Sequence, residues 1–154
     1  MVTAPSTDAA PPLSPARPGD QLTTDDLAMA FRFLMEQANA LNEDVSKAAT
    51  VEAQQAIGRV QNELFERAAA LNAKSIDLLT GQARITAEHI NSAVAAAKAV
   101  IDRIADVKRK LVKLGAVLDF FGAVLTGNGK AIVEGARALK AALDEREDST
   151  RRDK

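Results

Sequence analysis

At 154 residues the chain has room for one domain and a single hydrophobic core. Apolar residues make up 47% of it, while cysteine, tryptophan and tyrosine are absent, so disulfides, thiol chemistry and cysteine metal sites are excluded. The net charge of −1 hides a division: residues 1–107 are acidic on balance, whereas 108–143 set Lys108, Arg109, Lys110, Lys113, Lys130, Arg137 and Lys140 against only Asp119 and Glu134. The chain as a whole lacks the excess positive charge of a nucleic-acid binder, and nucleic acid is not an expected partner.

The opening Met1-Val2-Thr3-Ala4-Pro5 has neither the basic nor the apolar region of a secretory signal. Cytoplasmic residence is the default expectation, with export independent of a signal peptide or peripheral membrane association as the alternatives. All five prolines fall within the first 18 residues, so residues 1–21 are expected to be a disordered tail that cannot bury enough surface to offset its ordering entropy. The proline-free remainder is free to be helical. Residues 22–146 are expected to form the folded bundle, and the charged residues 147–154 a second disordered tail.

The first helix is expected over about 24–47. Thr23 and Asp26 have capping-box spacing, Leu22 and Leu27 occupy the positions of a hydrophobic staple, and Asp25 and Asp26 suit the positive end of a helix dipole. Apolar residues then recur at Leu27, Phe31, Leu34, Ala38, Leu41, Val45 and Ala48 in steps of four and three, which is one helical stripe. The rhythm breaks after Ala48. With Thr50 as restart, a second helix over about 51–79 carries Ala53, Ile57, Val60, Leu64, Ala68, Leu71 and Leu78, and Gly81 is expected to end it in a left-handed conformation.

A third, much longer helix is expected from 82 to 125. Ile90, Ala97, Ile104, Leu111, Leu118 and Leu125 form a row at seven-residue intervals, flanked by rows through Ala87, Val94 and Ile101 and through Ala93, Val100, Val107, Leu114 and Phe121. Three parallel rows describe a broad bundle-facing stripe. Thr126-Gly127-Asn128-Gly129 supplies the next reversal. A fourth helix over about 129–145 then presents Ile132, Ala136, Leu139 and Leu143 on one face.

Because the second helix can fold back along the third only to about Leu111, residues 112–125 are left with the fourth helix as sole partner. The expected fold is therefore all-α: an elongated antiparallel bundle of about four helices with a projecting apolar helical hairpin, 111–143.

The chemistry-bearing motifs are few. Val124-Leu125-Thr126-Gly127-Asn128-Gly129-Lys130 superficially matches a phosphate loop, but Val124 stands at the first glycine position and Ala131 where Ser or Thr would hold magnesium. His89, the sole histidine, falls on the outward side of the third helix and has no Glu three residues before it, so a di-iron site is not supported. The carboxylates Glu63 and Glu66, and Asp102 and Asp106, read as solvated charges, and Ser75 has no histidine to activate it. No catalytic set, metal site or cofactor is expected.

The densest apolar segment is Leu114 to Leu125, preceded by the basic cluster Lys108, Arg109, Lys110 and Lys113. Interrupted by Asp119, it is shorter than the roughly 20 residues a spanning helix needs. Leu114, Val117, Leu118, Phe120, Phe121, Val124 and Leu125 point in too many directions for one covering helix, and so form a candidate interaction surface. Lys108, Arg109, Lys110 and Lys113 are candidate contacts for an anionic partner or headgroup. Gly115 and Gly122, seven apart, would let another helix backbone approach closely. The alternatives for this patch are burial within the monomer, self-association or a protein partner, lipid, and, least favoured because no aromatic lies in the basic cluster to stack bases, nucleic acid.

The plan of a helical body with an apolar helical hairpin is similar to that of α-helical pore-forming toxins, a likeness of architecture that assigns no residue roles. The expected function is that of a non-enzymatic bundle acting by self-assembly or protein-partner binding through 111–143. The alternative is a membrane-active protein that inserts the hairpin or rests it on lipid.

Overall fold

A computed structural model describes residues 21–152, with side chains described for 21–144. The expected tail 1–21 lies, apart from Gln21, outside the described residues. The protein is all-α, with no strand among the described residues.

Helix α1, Thr24–Lys47, starts where the local chemistry places it. The Thr23 backbone N–H donates to Asp26 Oδ2 at 2.9 Å and the Asp26 N–H donates to Thr23 Oγ1 at 3.1 Å, a complete capping box. Leu22 and Leu27 are both buried beside it. Helix α2, Val51–Ala73, is capped by Thr50, whose Oγ1 accepts from the Ala53 N–H at 3.0 Å. After a break at Lys74 the short α3, Ser75–Thr80, carries the chain to Gly81.

Gly81 does not adopt the expected left-handed conformation. Its φ is −97°, and the residue must be small because an added Cβ would stand 2.9 Å from the Asp77 carbonyl oxygen. Among the described residues the positive φ falls instead to Gly127, at 73° in the later reversal.

The expected helix 82–125 is divided. Residues Gln82–Ile85 form a 3-10 turn, α4 spans Ala87–Ile101, and α5 spans Val107–Leu125. Between them the Asp102 N–H still bonds the Lys98 carbonyl, the Arg103 and Ile104 N–H groups close tight turns on Val100 and Ile101, and Asp106 then caps α5 by accepting from the Arg109 N–H at 3.1 Å. Ile104, at the centre of the expected seam, sits in this reversal.

That division changes the architecture. Residues near both ends of α5 show that it runs back alongside α4: Lys110 pairs with Asp44 at the far end of α1, while the turn after Leu125 returns the chain to Gln82, whose Oε1 accepts from the Gly129 N–H at 3.1 Å. Helix α6, Gly129–Arg152, then descends between α4 and α5. The described residues thus form five long helices alternating in direction, with α5 packed against α6 and α2. The expected four-helix body and projecting hairpin are thereby corrected: 107–125 packs within the bundle, with only one face to solvent, and does not project from it.

Helix α6 also runs past its expected end at 145 to Arg152. No glycine or proline interrupts Lys140–Arg152, and Ala, Leu, Glu and Arg are good helix formers. The segment expected as a disordered tail, 147–154, is helical through Arg152, and Asp153 and Lys154 lie outside the described residues.

The core is assembled from Leu27, Leu34, Ala38 and Leu41 of α1, Ile57, Leu64 and Leu71 of α2, Ile90 and Ala97 of α4, Leu114, Val117, Phe120, Phe121 and Val124 of α5, and Ile132, Leu139 and Leu143 of α6. The close helix approach lies at Gly135 of α6, where an added Cβ would meet Ala123 Cβ at 3.1 Å and Phe120 Cδ1 at 3.4 Å. Gly115 and Gly122 do not serve the expected helix-on-helix approach: a Cβ added at the first would meet no other element within 4 Å, and one added at the second would meet the Arg67 guanidinium at 4.0 Å. Arg67 Nε donates to the Leu118 carbonyl at 3.2 Å, which ties α2 to the middle of α5.

Candidate functional site

The residues expected to form an interaction surface on α5 are placed inside the monomer. Leu114, Val117, Leu118, Phe120, Phe121 and Val124 are all buried, and Leu125 is half-buried. The premise that one helix must cover them fails because two do. Phe120 meets Gly135 of α6, while the Leu118 carbonyl receives Arg67 of α2. Adjacent phenylalanines point in different directions on a helix, and here each has protein to meet. Their rings contact edge to face, with centroids 5.1 Å apart and planes at 69°.

The basic cluster is dispersed in the same way. Lys113 is 1% exposed and donates from Nζ to the Ala142 carbonyl of α6, so it faces inward. Lys110 Nζ lies 3.0 Å from Asp44 Oδ2 with both side chains largely enclosed, an ion pair within the chain. Arg109 is half-buried, and its Nε is enclosed without a hydrogen-bond partner among the described residues. Lys108 alone of the four is exposed. One contiguous cationic face for an anionic partner or headgroup is not formed, because Lys110 is turned toward α1 and Lys113 toward α6, leaving Lys108 apart from them in solvent. No helix among the described residues is long and apolar enough to cross a membrane.

Open concave surface lies elsewhere, at the end of the bundle where the 3-10 turn, the start of α4 and the start of α6 converge. A groove of about 620 Å³ runs between Gln82–His89 on one side and Gly129–Arg137 on the other. Its apolar part is formed by Ile85, 62% exposed, and the half-buried Val133. Arg84, His89, Lys130, Glu134 and Arg137 are exposed around it.

The first wall is held by backbone hydrogen bonds. The Leu22 N–H donates to the Arg84 carbonyl at 2.7 Å, so the residue preceding the α1 cap braces the turn from behind. Thr86 is buried and donates from Oγ1 to the Ala83 carbonyl at 2.6 Å, and Arg84 Nη1 reaches the Gly81 carbonyl at 3.2 Å. The second wall is the opening of α6. There the Asn128 side chain accepts from the Ala131 N–H at 2.9 Å and Gln82 accepts from the Gly129 N–H, linking the two walls directly. Two of the amides that an anion would use at this helix start are already engaged, so recognition of charge here falls to side chains.

Sequence reasoning missed the groove, although signals existed. Ile85 and Val133 each fall off the apolar stripe of their segment, and an apolar residue out of register at an exposed position is the one unexplained by the core. His89 and Lys130 were singled out for other chemistry, and only the fold brings them to one rim. Among the described residues no group of three or more histidines or carboxylates is arranged to hold a metal ion. Comparison of the chain with protein-family models, curated proteins and solved structures finds no match in any of the three.

Proposed function

We propose that the chain is a non-enzymatic helical-bundle protein that works by binding a protein partner, with the groove at the 3-10 turn, α4 and α6 as its contact element. The carrying observation is the 62% exposure of Ile85 beside Val133, an apolar floor that the monomer leaves open on walls already fixed by hydrogen bonds. Apolar surface held in a rigid concave setting favours association, because little further ordering is needed on binding. The reading keeps only the α6 side of the expected 111–143 element, since the α5 side is committed to the core. The titratable side chains around the groove form no hydrogen bond or ion pair with one another, which favours recognition over an assembled acid/base couple.

Site-specific photo-crosslinking tests the reading. A photoreactive amino acid is placed in turn at Ile85, at Val133 and at the exposed Gln55 on α2, and irradiation is carried out in cells that naturally express the protein. Discrete protein adducts from the first two positions and none from the third are expected. Adducts to another chain would mark a partner and adducts to the same chain self-assembly. No adduct at either groove position would sink the proposal.

A further inference from the structure

The groove also carries information about what lies in it. Along α6 the rim residues fall at Lys130, Val133 and Arg137, that is at steps of three and four, so two cations flank one apolar residue on a single helical face. The two cations are seven residues apart, about 10 Å at 1.5 Å per residue. The opposite wall repeats the chemistry, with Arg84 adjacent to Ile85. Glu134 is the one carboxylate on the rim, against Arg84, Lys130 and Arg137. Both walls thus present an apolar centre with positive charge beside it, and the space between them is open to solvent along roughly two helical turns.

We infer that the occupant is an acidic amphipathic helix of a partner protein, laid between α4 and α6 with an apolar side chain on Ile85 and Val133 and carboxylates toward Arg84, Lys130 and Arg137. The inference rests on the protein-binding reading above and adds the partner's chemistry. A helix fits because a groove between two helices accepts the side-chain ridge of a third. The register of the cations is also helical: carboxylates seven apart on the partner, with an apolar residue three or four positions from each, meet Lys130 and Arg137 together. In an extended strand the side chains of one face recur every second residue, about 7 Å and then about 13 Å apart, so neither spacing matches the span between the two cations.

The test uses the full-length protein and three fluorescent, hydrocarbon-stapled helical peptides. One carries Glu-x-x-x-Leu-x-x-Glu, the second replaces both Glu by Lys, and the third replaces Leu by Ser. Fluorescence anisotropy should show the acidic peptide binding at least about tenfold tighter than the lysine peptide, as several partly screened charge pairs allow together. Binding should weaken with added salt. The protein variant Arg84→Glu with Arg137→Glu, both positions exposed, should keep its circular dichroism spectrum and reverse the preference. Val133→Ser, or the serine peptide, should weaken binding without changing which charge is preferred. Equal binding of the acidic and lysine peptides by the wild type would overturn the inference. So would an unchanged preference after charge reversal, or binding of a small organic anion such as anilinonaphthalene sulfonate with no binding of either peptide. In each of those cases a protein adduct at Ile85 or Val133 would leave the protein-binding reading standing.

Discussion

Helix α5 and the groove beside α6 invert the usual expectation about apolar sequence. The first has the densest run of large apolar side chains in the chain, Leu114 to Leu125, and that run is almost wholly covered although Val112 just before it is exposed: Leu114, Val117 and Val124 are fully enclosed, and Phe120 and Phe121 are each 1% exposed. The second has two aliphatic residues, Ile85 and Val133, set among charges, yet it is where open apolar surface meets a concave wall. Apolar density measures how much surface needs covering. Exposure depends on how many neighbours arrive to cover it: α6 and α2 both pack on α5, whereas at the groove Val133 is only half-covered and Ile85 stays exposed.

The comparison can be broken most forcefully at the phenylalanines. Phe120→Glu combined with Phe121→Glu would bury two carboxylates without partners, and the expected outcome is loss of cooperative folding by circular dichroism. A folded double variant whose oligomeric state alone has changed would return these residues to the surface. The milder Phe120→Ala should destabilise by about 3–5 kcal/mol in urea unfolding, the usual cost of an aromatic-sized cavity. A loss below about 1 kcal/mol would mean that the interior around it is loosely filled.

Gly135→Ala sharpens the comparison at the α5–α6 contact. The added methyl would meet Ala123 Cβ at 3.1 Å, and overpacking should cost about 1–3 kcal/mol, exceeding the helix-propensity gain of up to about 1 kcal/mol. Stabilisation instead would show that the two helices part readily. The smallest effect belongs to the groove: Ile85→Ser should shift the unfolding midpoint by no more than about 0.5 kcal/mol equivalent, as an exposed side chain contributes little to the folded state. A large loss there would place Ile85 in the core and remove the floor from the proposed contact.

What the sequence determined by itself was everything settled within a few consecutive residues. Thr23 with Asp26, and Thr50, name helix starts because a short side chain reaches an amide three positions ahead, whereas Asn128, expected only as part of a reversal, takes its capping role in the fold. The stripes Leu27–Leu34–Leu41 and Ile57–Leu64–Leu71 name buried faces because period alone selects a side of a helix. The reversal at Asp102–Asp106 escaped because Ile101, Ile104 and Val107 continue the helical spacing across it, so the apolar rhythm runs on where the backbone stops. From that one turn follow the antiparallel return of α5, its enclosure by α2 and α6, the inward turn of Lys113, and the meeting of residues 82–89 with 129–137. Only the tertiary structure decided these, because each depends on contacts between segments tens of residues apart, as between Arg67 and Leu118 or Gln82 and Gly129, and no local pattern specifies which distant helix will come to cover a given face.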